Sequence, residues 1–332
     1  MLVSLLVGAI SLATVFLFGC VGETITEKSG HLNLGIPGIM CVGTAGGCLV
    51  AANFVNAWQG ETTLLMYVLL FTLSSLSTFV FAAAVGAIYA FLTVSLKCNQ
   101  NITGLAITTF GVGLAQFLMD NIIQKRQELK AALFTAGDIM SFNLPFAADL
   151  GWFGEIFLSH GILVYLSIAV AIVAAILLKR TKTGLNLRAI GENPAAADAV
   201  GINVTRYKFA AILTGSGIAG FGGYFYIIDY LNGSWENAST VEALGWLSIA
   251  LVIFTLWRPA LSILGSFIFA AFYILAFKLP GFVSGLSFTD NAALKLLPYI
   301  ITVVVLIITS ILGKKNVQPP QSLGLPYFRE ER

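Results

Sequence analysis

The sequence predicts an all-α fold, a polytopic transmembrane helical bundle of about eight to ten spans, with about nine as the best count. Two observations lead to this prediction. Hydrophobic residues make up 58% of the 332 residues and charged residues only 10%, whereas roughly a quarter of a soluble domain is charged. In addition, the apolar residues are grouped in runs long enough to cross a bilayer, and polar segments separate these runs.

Nine apolar runs account for the predicted spans. The first run lacks a basic segment and a cleavage site followed by a polar domain, so a cleaved signal peptide is not expected. The third run is long enough for one tilted helix or for two short helices, and its sequence leaves both open. In chain order, the runs cover residues 2–20, 34–55, 63–96, 102–119, 161–178, 209–231, 243–256, 260–277 and 296–312.

Small residues recur at four-residue spacing in three of these runs. This spacing lets the backbone of another helix approach closely, so each set predicts a face that packs against a neighbouring span. The three faces are Gly43, Gly47 and Ala51; Ala82, Gly86 and Ala90; and Gly215, Ala219 and Gly223.

Basic residues are distributed unevenly between the polar segments, which predicts the orientation of the bundle. With the third run counted as one helix, Lys28, Lys97, Arg258, six bases of residues 179–208 and four of residues 314–332 fall on one side, and five bases fall on the other. Because basic residues favour the cytoplasm, residues 179–208 are predicted to be a cytoplasmic loop and residues 314–332 a cytoplasmic tail.

The longest predicted external segment covers residues 120–159. Its charged side chains would each cost a few kcal/mol in hydrocarbon, so the chain is expected to leave the membrane there. The N-terminus is predicted to lie on the same outer side.

Residues 187–202 contain the signals of a short helix. Asn193 is suited to accept hydrogen bonds from the first-turn amides, Pro194 fits the first helical position, and Gly201 stands where a left-handed C-cap residue belongs. A helix of about two turns is not stable alone in water, so it must pack against its own membrane domain, against a partner, or against both. A loop that merely joins two spans is the alternative.

Several functional classes lack support in the sequence. The two histidines form no His-Glu-x-x-His pair of a metalloprotease, and Glu27 stands where a phosphate-binding loop requires a glycine before the lysine. Apart from Asp229 near a span end and Arg258 in a turn, no ionisable residue falls within the runs, which argues against an ion-coupled carrier. We therefore expect no enzyme, no metal and no cofactor in this chain, and an energy source in a partner.

The segment Gly184–Ala197 resembles the cytoplasmic coupling segment of permease subunits of bacterial ABC importers. The branch is the one that serves ribose, branched-chain amino acids and nucleosides. Within it, the glutamate-basic-x-glycine and asparagine-x-glycine patterns of Glu27–Met40 are similar to those of the nucleoside permease subunits served by BMP-type lipoproteins. Further segments that fit this branch, so that the resemblance covers nearly the whole chain, are Gly201–Val204, Lys208–Ala211, Ser216–Gly220, Asn99–Gln100, Gly104–Ala106, Trp257–Pro259 and Leu323–Tyr327.

This resemblance implies that residues 1–313 are a multi-pass permease domain in the bacterial cell membrane, forming a translocation pathway for nucleosides. It implies a separate ATPase subunit that binds ATP and Mg, a second and unlike permease subunit, and a substrate-binding lipoprotein that docks on residues 120–159 and 232–242. No nucleic acid is implied. A sugar or amino-acid permease of the same architecture is the alternative, and an ion-coupled carrier working alone is less favoured.

The resemblance also assigns a role to the short helix. It would sit in a groove of the ATPase subunit and move when ATP binding closes two such subunits. Arg188 and Glu192 are candidates for polar contacts at this junction, and ordinary solvated charges are the alternative. The predicted coupling residues are Arg188, Gly191, Glu192, Asn193, Pro194, Ala195, Ala196, Ala197 and Gly201.

An uncharged polar substrate requires amide, hydroxyl and aromatic partners along the pathway. Glu27 and Asn33 precede the second span and are candidates for a cytoplasmic gate. Pro37 stands where the family commonly has an acidic residue, so the role of that carboxylate would fall to a partner subunit. The pathway candidates, for which helix packing is the alternative, are Glu27, Asn33, Asn53, Thr103, Thr108, Gln116, Phe221 and Tyr224.

Overall fold

Helices form all the regular secondary structure in the described part of the chain. The computed structural model describes residues 2–58, 60, 61, 63–141, 150–278 and 318–328, with single positions between 296 and 311. Short π-helical turns extend α3, α4 and α10 over Phe91–Ser95, Met119–Gln124 and Tyr226–Tyr230. The α-helices are α1 (Leu2–Glu27), α2 (Ile36–Ala57), α3 (Leu64–Ala90), α4 (Gln100–Leu118), α5 (Gln127–Met140), α6 (Gly151–Phe157), α7 (Ile162–Arg180), α8 (Lys182–Glu192), α9 (Pro194–Ala199), α10 (Val204–Phe225), α11 (Ala238–Phe254) and α12 (Pro259–Lys278).

Six of the described helices are long and apolar enough to cross a membrane, namely α1, α2, α3, α4, α7 and α10. Two shorter apolar helices, α11 and α12, follow them. These eight match the first eight predicted runs in order, which confirms the predicted polytopic helical bundle. The ninth predicted run, residues 296–312, falls largely outside the described residues.

The third predicted run is one continuous helix. The Thr63 side chain caps its start by accepting a hydrogen bond of 3.3 Å from the Met66 backbone N–H. Helical structure then continues through the π turn to Ser95, giving an apolar span of 32 residues. The question that the sequence left open is thus answered in favour of a single helix, which preserves the predicted alternation of sides.

The first helix ends at Glu27 and not at the predicted Cys20. As a result Glu23 and Glu27, which were expected in a polar loop, are only 0% and 2% exposed. Donors from other elements make this burial feasible: the Asn33 backbone N–H donates to Glu23 Oε1 at 2.9 Å, and the Trp257 indole N–H donates to Glu27 Oε2. The expectation that ionisable residues are nearly absent from the spans was therefore wrong at this end of α1.

Helices α1, α2, α3 and α10 pack against one another at the centre of the bundle. Glycines permit their close approach. A Cβ atom on Gly43 would lie 2.7 Å from Gly220 Cα, and a Cβ atom on Gly22 would lie 2.4 Å from the Gly215 carbonyl oxygen. The predicted small-residue faces of α2 and α10 are therefore confirmed as contacts between spans.

The segments that were predicted to be cytoplasmic meet at one end of the bundle. Tail residues 318–328 accept a hydrogen bond from Gln100 at the start of α4 and donate one to Gly191 of α8. Trp257, in the turn before α12, donates to Glu27 at the end of α1. These segments share one side, as the predicted crossing pattern requires, and we call this side the inner end.

The opposite, outer end joins the predicted external segments. Asn232 Nδ2 donates to Asp138 Oδ1 of α5 at 2.6 Å, and Trp235 Nε1 donates to Asp120 Oδ1 at 3.1 Å. Both contacts tie residues 231–237, which follow α10, to the segment that follows α4. Within the described residues, the two predicted external segments thus form one connected surface.

Candidate functional site

The predicted short helix is present as α9, and it is capped at both ends. Asn193 Oδ1 accepts a hydrogen bond of 2.9 Å from the Ala196 backbone N–H, and Pro194 occupies the first helical position. Gly201 adopts a φ of 85°, a left-handed conformation that favours glycine. The backbone N–H of Ile202 donates to the Ala197 carbonyl at 3.1 Å, which completes a Schellman-type C-cap. These capping predictions are confirmed.

A second helix, α8, precedes α9 and was not predicted. Thr181 ends α7 and also caps α8, because its side chain accepts a hydrogen bond of 3.0 Å from the Gly184 backbone N–H. The sequence signal that could have predicted α8 is Thr181, a residue type that favours the N-cap position of a helix. No flexible linker separates α7 from α8, since a single residue serves both.

Two small apolar clusters hold α8 and α9 against the membrane domain. Leu187 packs with residues of α7 and α10, including Ala211. Ile190 of α8 packs with Ala197 of α9 and Val204 of α10. The short helix thus leans on its own membrane domain, which was one of the alternatives that the sequence left open.

The tail crosses this segment and is hydrogen-bonded to it. Ser322 Oγ donates to the Gly191 carbonyl at 2.6 Å, and Tyr327 Oη donates to Asp198 Oδ2 at 2.8 Å. Gly191 leaves no room for a side chain, because a Cβ there would lie 2.4 Å from the Lys28 carbonyl oxygen. We define residues 182–203 together with tail residues 318–328 as the inner platform.

The outer face of the inner platform is exposed. Leu185 and Val200 are apolar residues outside the spans, yet they are 58% and 77% exposed. Among the predicted coupling residues, Gly191 and Ala197 are buried, Pro194 and Ala195 are half-buried, and the exposed ones are Arg188, Glu192, Asn193, Ala196 and Gly201.

Charged residues of the inner platform interact with the loop between α1 and α2. Burial lowers the pKa of the Lys28 ammonium, and the neighbouring Glu192 carboxylate opposes part of this shift whereas Arg188 adds to it.

The loop between α1 and α2 is fastened by buried polar groups from several helices. Tyr89 Oη of α3 donates to the Leu32 carbonyl at 2.7 Å, and the Leu32 backbone N–H donates to Gln100 Oε1 of α4 at 2.8 Å. Asn33 Oδ1 accepts from the Gly35 backbone N–H at 2.9 Å, which shapes the entry into α2. The two gate candidates, Asn33 and Glu27, therefore belong to one buried cluster with Glu23.

The other inner candidates lie on α4 beside this loop. Thr108 Oγ1 donates to the Leu34 carbonyl at 2.7 Å, and Thr103 is buried on the same helix one turn or more before it. Pro37, at the start of α2, packs against Gly245 of α11, where a Cβ would lie 2.5 Å from Pro37 Cα. These residues surround the entry into α2.

The remaining pathway candidates are not gathered at that place. Gln116 Oε1 accepts from the Ala238 backbone N–H at 2.6 Å, near the outer end, and Asn53 is exposed and donates to the carbonyl of its own helix at Leu49. Tyr224 is completely buried, and Phe221 stacks on Phe18 with ring centroids 5.5 Å apart.

Two buried basic residues of the inner end were missed by the sequence predictions. His31 and Lys208 are each 2% exposed. Burial, and secondarily the charge of Lys208, hold the pKa of His31 well below its usual value of 6.5. The described residues contain no group of three or more metal-ligating side chains.

Comparison with known proteins agrees with this architecture. The chain is 32% identical over 267 residues to "Putative glucose ABC transporter permease protein TsgC13" of Haloferax volcanii, covering 80% of this chain and 74% of that protein. It is 30% identical to nucleoside ABC transporter permease protein NupC of Lactococcus lactis, covering 96% and 95%. It is 27% identical to guanosine ABC transporter permease protein NupQ of Bacillus subtilis, also covering 96% and 95%. No solved structure matches this chain.

A family model connects these similarities with the fold. The model described as "Branched-chain amino acid transport system / permease component" matches residues 5–309, from α1 through the last predicted span. This range includes the six long apolar helices and the capped segment at the inner end. The chain therefore belongs to the branched-chain amino acid transport system/permease component family, and it is a multi-pass membrane permease component.

Proposed function

We propose that this chain is the permease subunit of an ABC importer for nucleosides, and that a separate ATPase subunit drives it. The observation that carries the coupling role is α9, a short helix capped at both ends and exposed at the inner end. Two of the similar proteins are named for nucleoside or guanosine transport, which supports the substrate class. The name of TsgC13 supports a sugar as the second candidate substrate.

The inner platform has the mechanical properties that coupling requires. The ATPase would bind the exposed face around Ala196, with the apolar side chains of Leu185 and Val200 contributing buried area at the contact. A displacement of α9 would be transmitted through α8 to α7, because Thr181 is both the C-cap of α7 and the N-cap of α8. It passes to α10 through Ala197, which packs on Val204.

The loop between α1 and α2 is the proposed inner gate. Glu27 and Asn33 are buried there, and the loop is fastened by Tyr89 and Gln100 from the two following spans. Movement of α10 relative to α1 would loosen this cluster, since the two helices cross where Gly22 meets Gly215. Opening the gate would release an uncharged polar substrate to the cytoplasm.

The outer end is the proposed docking surface for a substrate-binding lipoprotein. Its acidic residues divide into two sets. Asp120 and Asp138 accept hydrogen bonds from Trp235 and Asn232, so their role is internal. The exposed acids Glu128, Glu155 and Glu236 remain as candidates for contacts with basic residues of the lipoprotein.

A second permease subunit would complete the transporter. Because Pro37 replaces the acidic residue that is common in the family, an unlike partner would supply that carboxylate. Affinity purification of the tagged chain from its own host, followed by mass spectrometry, should recover an ATPase and a different permease. Recovery of this chain alone would count against the heterodimer.

The coupling role is tested by replacing Ala196 with Arg. The larger charged side chain would stand at the ATPase contact without disturbing the core, because Ala196 is exposed. In vesicles that contain the ATPase, the second permease subunit and the lipoprotein, we expect loss of labelled guanosine uptake at an unchanged amount of permease in the membrane. Ala57→Arg, at the exposed last residue of α2 and outside both proposed contact surfaces, is the matched control. Normal uptake by A196R would refute the coupling role.

The substrate class is tested by competition. Unlabelled nucleosides should displace labelled guanosine from uptake, and glucose or ribose should not. Uptake of labelled glucose or ribose without uptake of labelled guanosine would favour the sugar permease. Uptake driven by an ion gradient in vesicles that lack an ATPase would instead support an ion-coupled carrier.

A further inference from the structure

A pocket of about 720 Å³ lies at the inner end, separate from the pathway candidates. Its walls are the π turn after α3, the segment between α9 and α10, the start of α10 and Tyr327 of the tail. This volume is within the range of about 300–1,000 Å³ that is typical of small-molecule sites. Among the residues that line it, all within the described ranges, Gly201 is a predicted coupling residue and Val204 packs on Ala197 of α9. The other lining residues were assigned no role in coupling or in the pathway.

The lining of the pocket is positively charged. Among the described residues of the lining, Lys97, Arg206 and Lys208 are basic and Asp198 is acidic. The Asp198 carboxylate already accepts the hydroxyl hydrogen bond of Tyr327 at 2.8 Å. A ligand that complements this pocket therefore carries negative charge.

Lys208 is the buried cation of the pocket. It is 2% exposed, and no carboxylate among the described residues interacts with its ammonium group. Burying an ammonium group without a counter-charge is unfavourable, and a bound anion would offset this cost. Lys208 stands in the second turn of α10, facing the same pocket as His31.

His31 supplies an independent sign of a ligand. Its side chain is 2% exposed and lines the pocket, yet neither ring nitrogen has a hydrogen-bond partner among the described residues. Buried polar groups normally have a hydrogen-bond partner, so the two unpaired ring nitrogens are suited to bind a ligand. Since the ring is neutral, it offers one N–H donor and one acceptor.

The N-terminus of α10 adds backbone donors. Asn203 Oδ1 accepts the Arg206 N–H at 2.9 Å, whereas the amides of Val204 and Thr205 occupy the first two helical positions and have no acceptor within the helix. Val204 and Thr205 both line the pocket. The start of a long helix favours an anion through these amides and through the helix dipole.

We propose that this pocket binds a phosphate group, with Lys208, His31 and the start of α10 as its ligands. The phosphate would come either from a soluble phosphate compound of the cytoplasm or from the headgroup of an anionic phospholipid in the inner leaflet. This site goes beyond the transport function proposed above and does not depend on it. Because the lining joins Gly201 to the end of α3, an occupied pocket would brace the inner platform against the spans.

The test uses the full chain, purified with the subunits that accompany it, and two probes. Equilibrium dialysis with labelled inorganic phosphate in lipid-free detergent measures the soluble source. Native mass spectrometry from nanodiscs of phosphatidylcholine with phosphatidylglycerol measures retention of the anionic lipid. Lys208→Met, which keeps the apolar stem without the charge, should weaken binding about tenfold or more. Lys182→Met, at an exposed lysine of α8, is the matched control and should bind as the wild type does.

A second variant keeps the proposal testable if K208M fails to fold. Thr205→Glu places a carboxylate at an exposed position in the first turn of α10, where the helix dipole favours it, so folding should be retained. The added charge should repel the anion and weaken binding at least as much as K208M does. Phosphate binding that both variants weaken identifies a soluble ligand, and phosphatidylglycerol retention that both variants weaken identifies a lipid. The proposal is overturned if neither probe binds the wild type, or if T205E binds both probes as the wild type does.

Discussion

The hydroxyl of Ser322 donates a hydrogen bond of 2.6 Å to the carbonyl oxygen of Gly191, and the Ser322 backbone N–H donates to the same oxygen at 2.9 Å. Both residues are buried, although 131 positions separate them in the chain. Gly191 lies near the end of α8, directly before the capped helix. The tail is therefore part of the structure that holds α9 in place.

Replacing Ser322 by Ala should loosen the tail. The variant loses the hydroxyl hydrogen bond but keeps the backbone bond, so we expect about 1 kcal/mol less free energy holding residues 318–328 in place. Limited digestion with chymotrypsin measures this change as faster cleavage near Tyr327. The exposed neighbour provides the control, because Gln321→Ala should be cleaved at the wild-type rate. Equal rates for S322A and the wild type would contradict the contact.

Replacing Asn193 by Ala should fray α9. The variant removes the acceptor of the Ala196 N–H, a change that typically costs about 1 kcal/mol. Hydrogen exchange at residues 195–197 should become about fivefold faster, and coupled uptake should fall. Asn193→Asp retains a side-chain acceptor and should exchange as slowly as the wild type. If the Ala and Asp variants exchange alike, the cap does not stabilise this helix.

Acidification should destabilise the protein through His31. Its pKa is lower in the folded protein than its usual value of 6.5, because burial and the charge of Lys208 disfavour protonation. The unfolded chain therefore binds the proton first, so the stabilisation present above pH 6.5 is lost below it at about 1.4 kcal/mol per pH unit.

Thermal unfolding between about pH 7 and pH 5 measures this loss as the difference between the pH dependences of Tm of the wild type and of His31→Gln. His31→Gln should flatten the dependence. A smaller dependence should remain, because burial also lowers the pKa of His160. A fall in Tm that is identical in H31Q and the wild type would show that His31 is not responsible.

Replacing Gly43 by Ala should destabilise the crossing of α2 and α10. The new Cβ would lie 2.7 Å from Gly220 Cα, and backbone atoms cannot move aside without shifting a helix. We expect a loss of about 1–3 kcal/mol, seen as a lower Tm in detergent. Gly113→Ala is the matched control, because a Cβ there meets nothing within 4 Å, and its Tm should be unchanged or raised. Equal Tm values for the two variants would refute a tight crossing.

The features that sequence predicted correctly depend on the membrane or on near neighbours in the chain. A bilayer imposes a minimum length on apolar helices, so α7 was expected at residues 161–178 and is found at Ile162–Arg180. The caps of α9 were predictable because Asn193 and Gly201 act on amides and carbonyls within a few positions.

The features that sequence missed depend on distant partners. The predicted end of α1 lies too early in the chain because a carboxylate such as that of Glu27 was expected to be solvated. In the structure the indole N–H of Trp257, 230 positions away, donates a hydrogen bond to this buried carboxylate. The contact between Ser322 and Gly191 has no periodic signal at all. The amide side chain of Gln116 was a candidate for contact with a polar substrate. In the structure, however, its oxygen accepts a hydrogen bond from the Ala238 backbone N–H at the start of α11.

The length of α3 ties the inner pocket to the thickness of the membrane. An apolar helix from Leu64 to Ser95 rises about 48 Å, while the hydrocarbon core measures about 30 Å. In a thinner bilayer, such a helix tilts further from the membrane normal. A change in tilt of about 5° displaces one end relative to the other by about 4 Å. Thr93 and Ser95 form a wall of the pocket at the inner end. We therefore expect the width of the pocket to change with the acyl-chain length of the surrounding lipid.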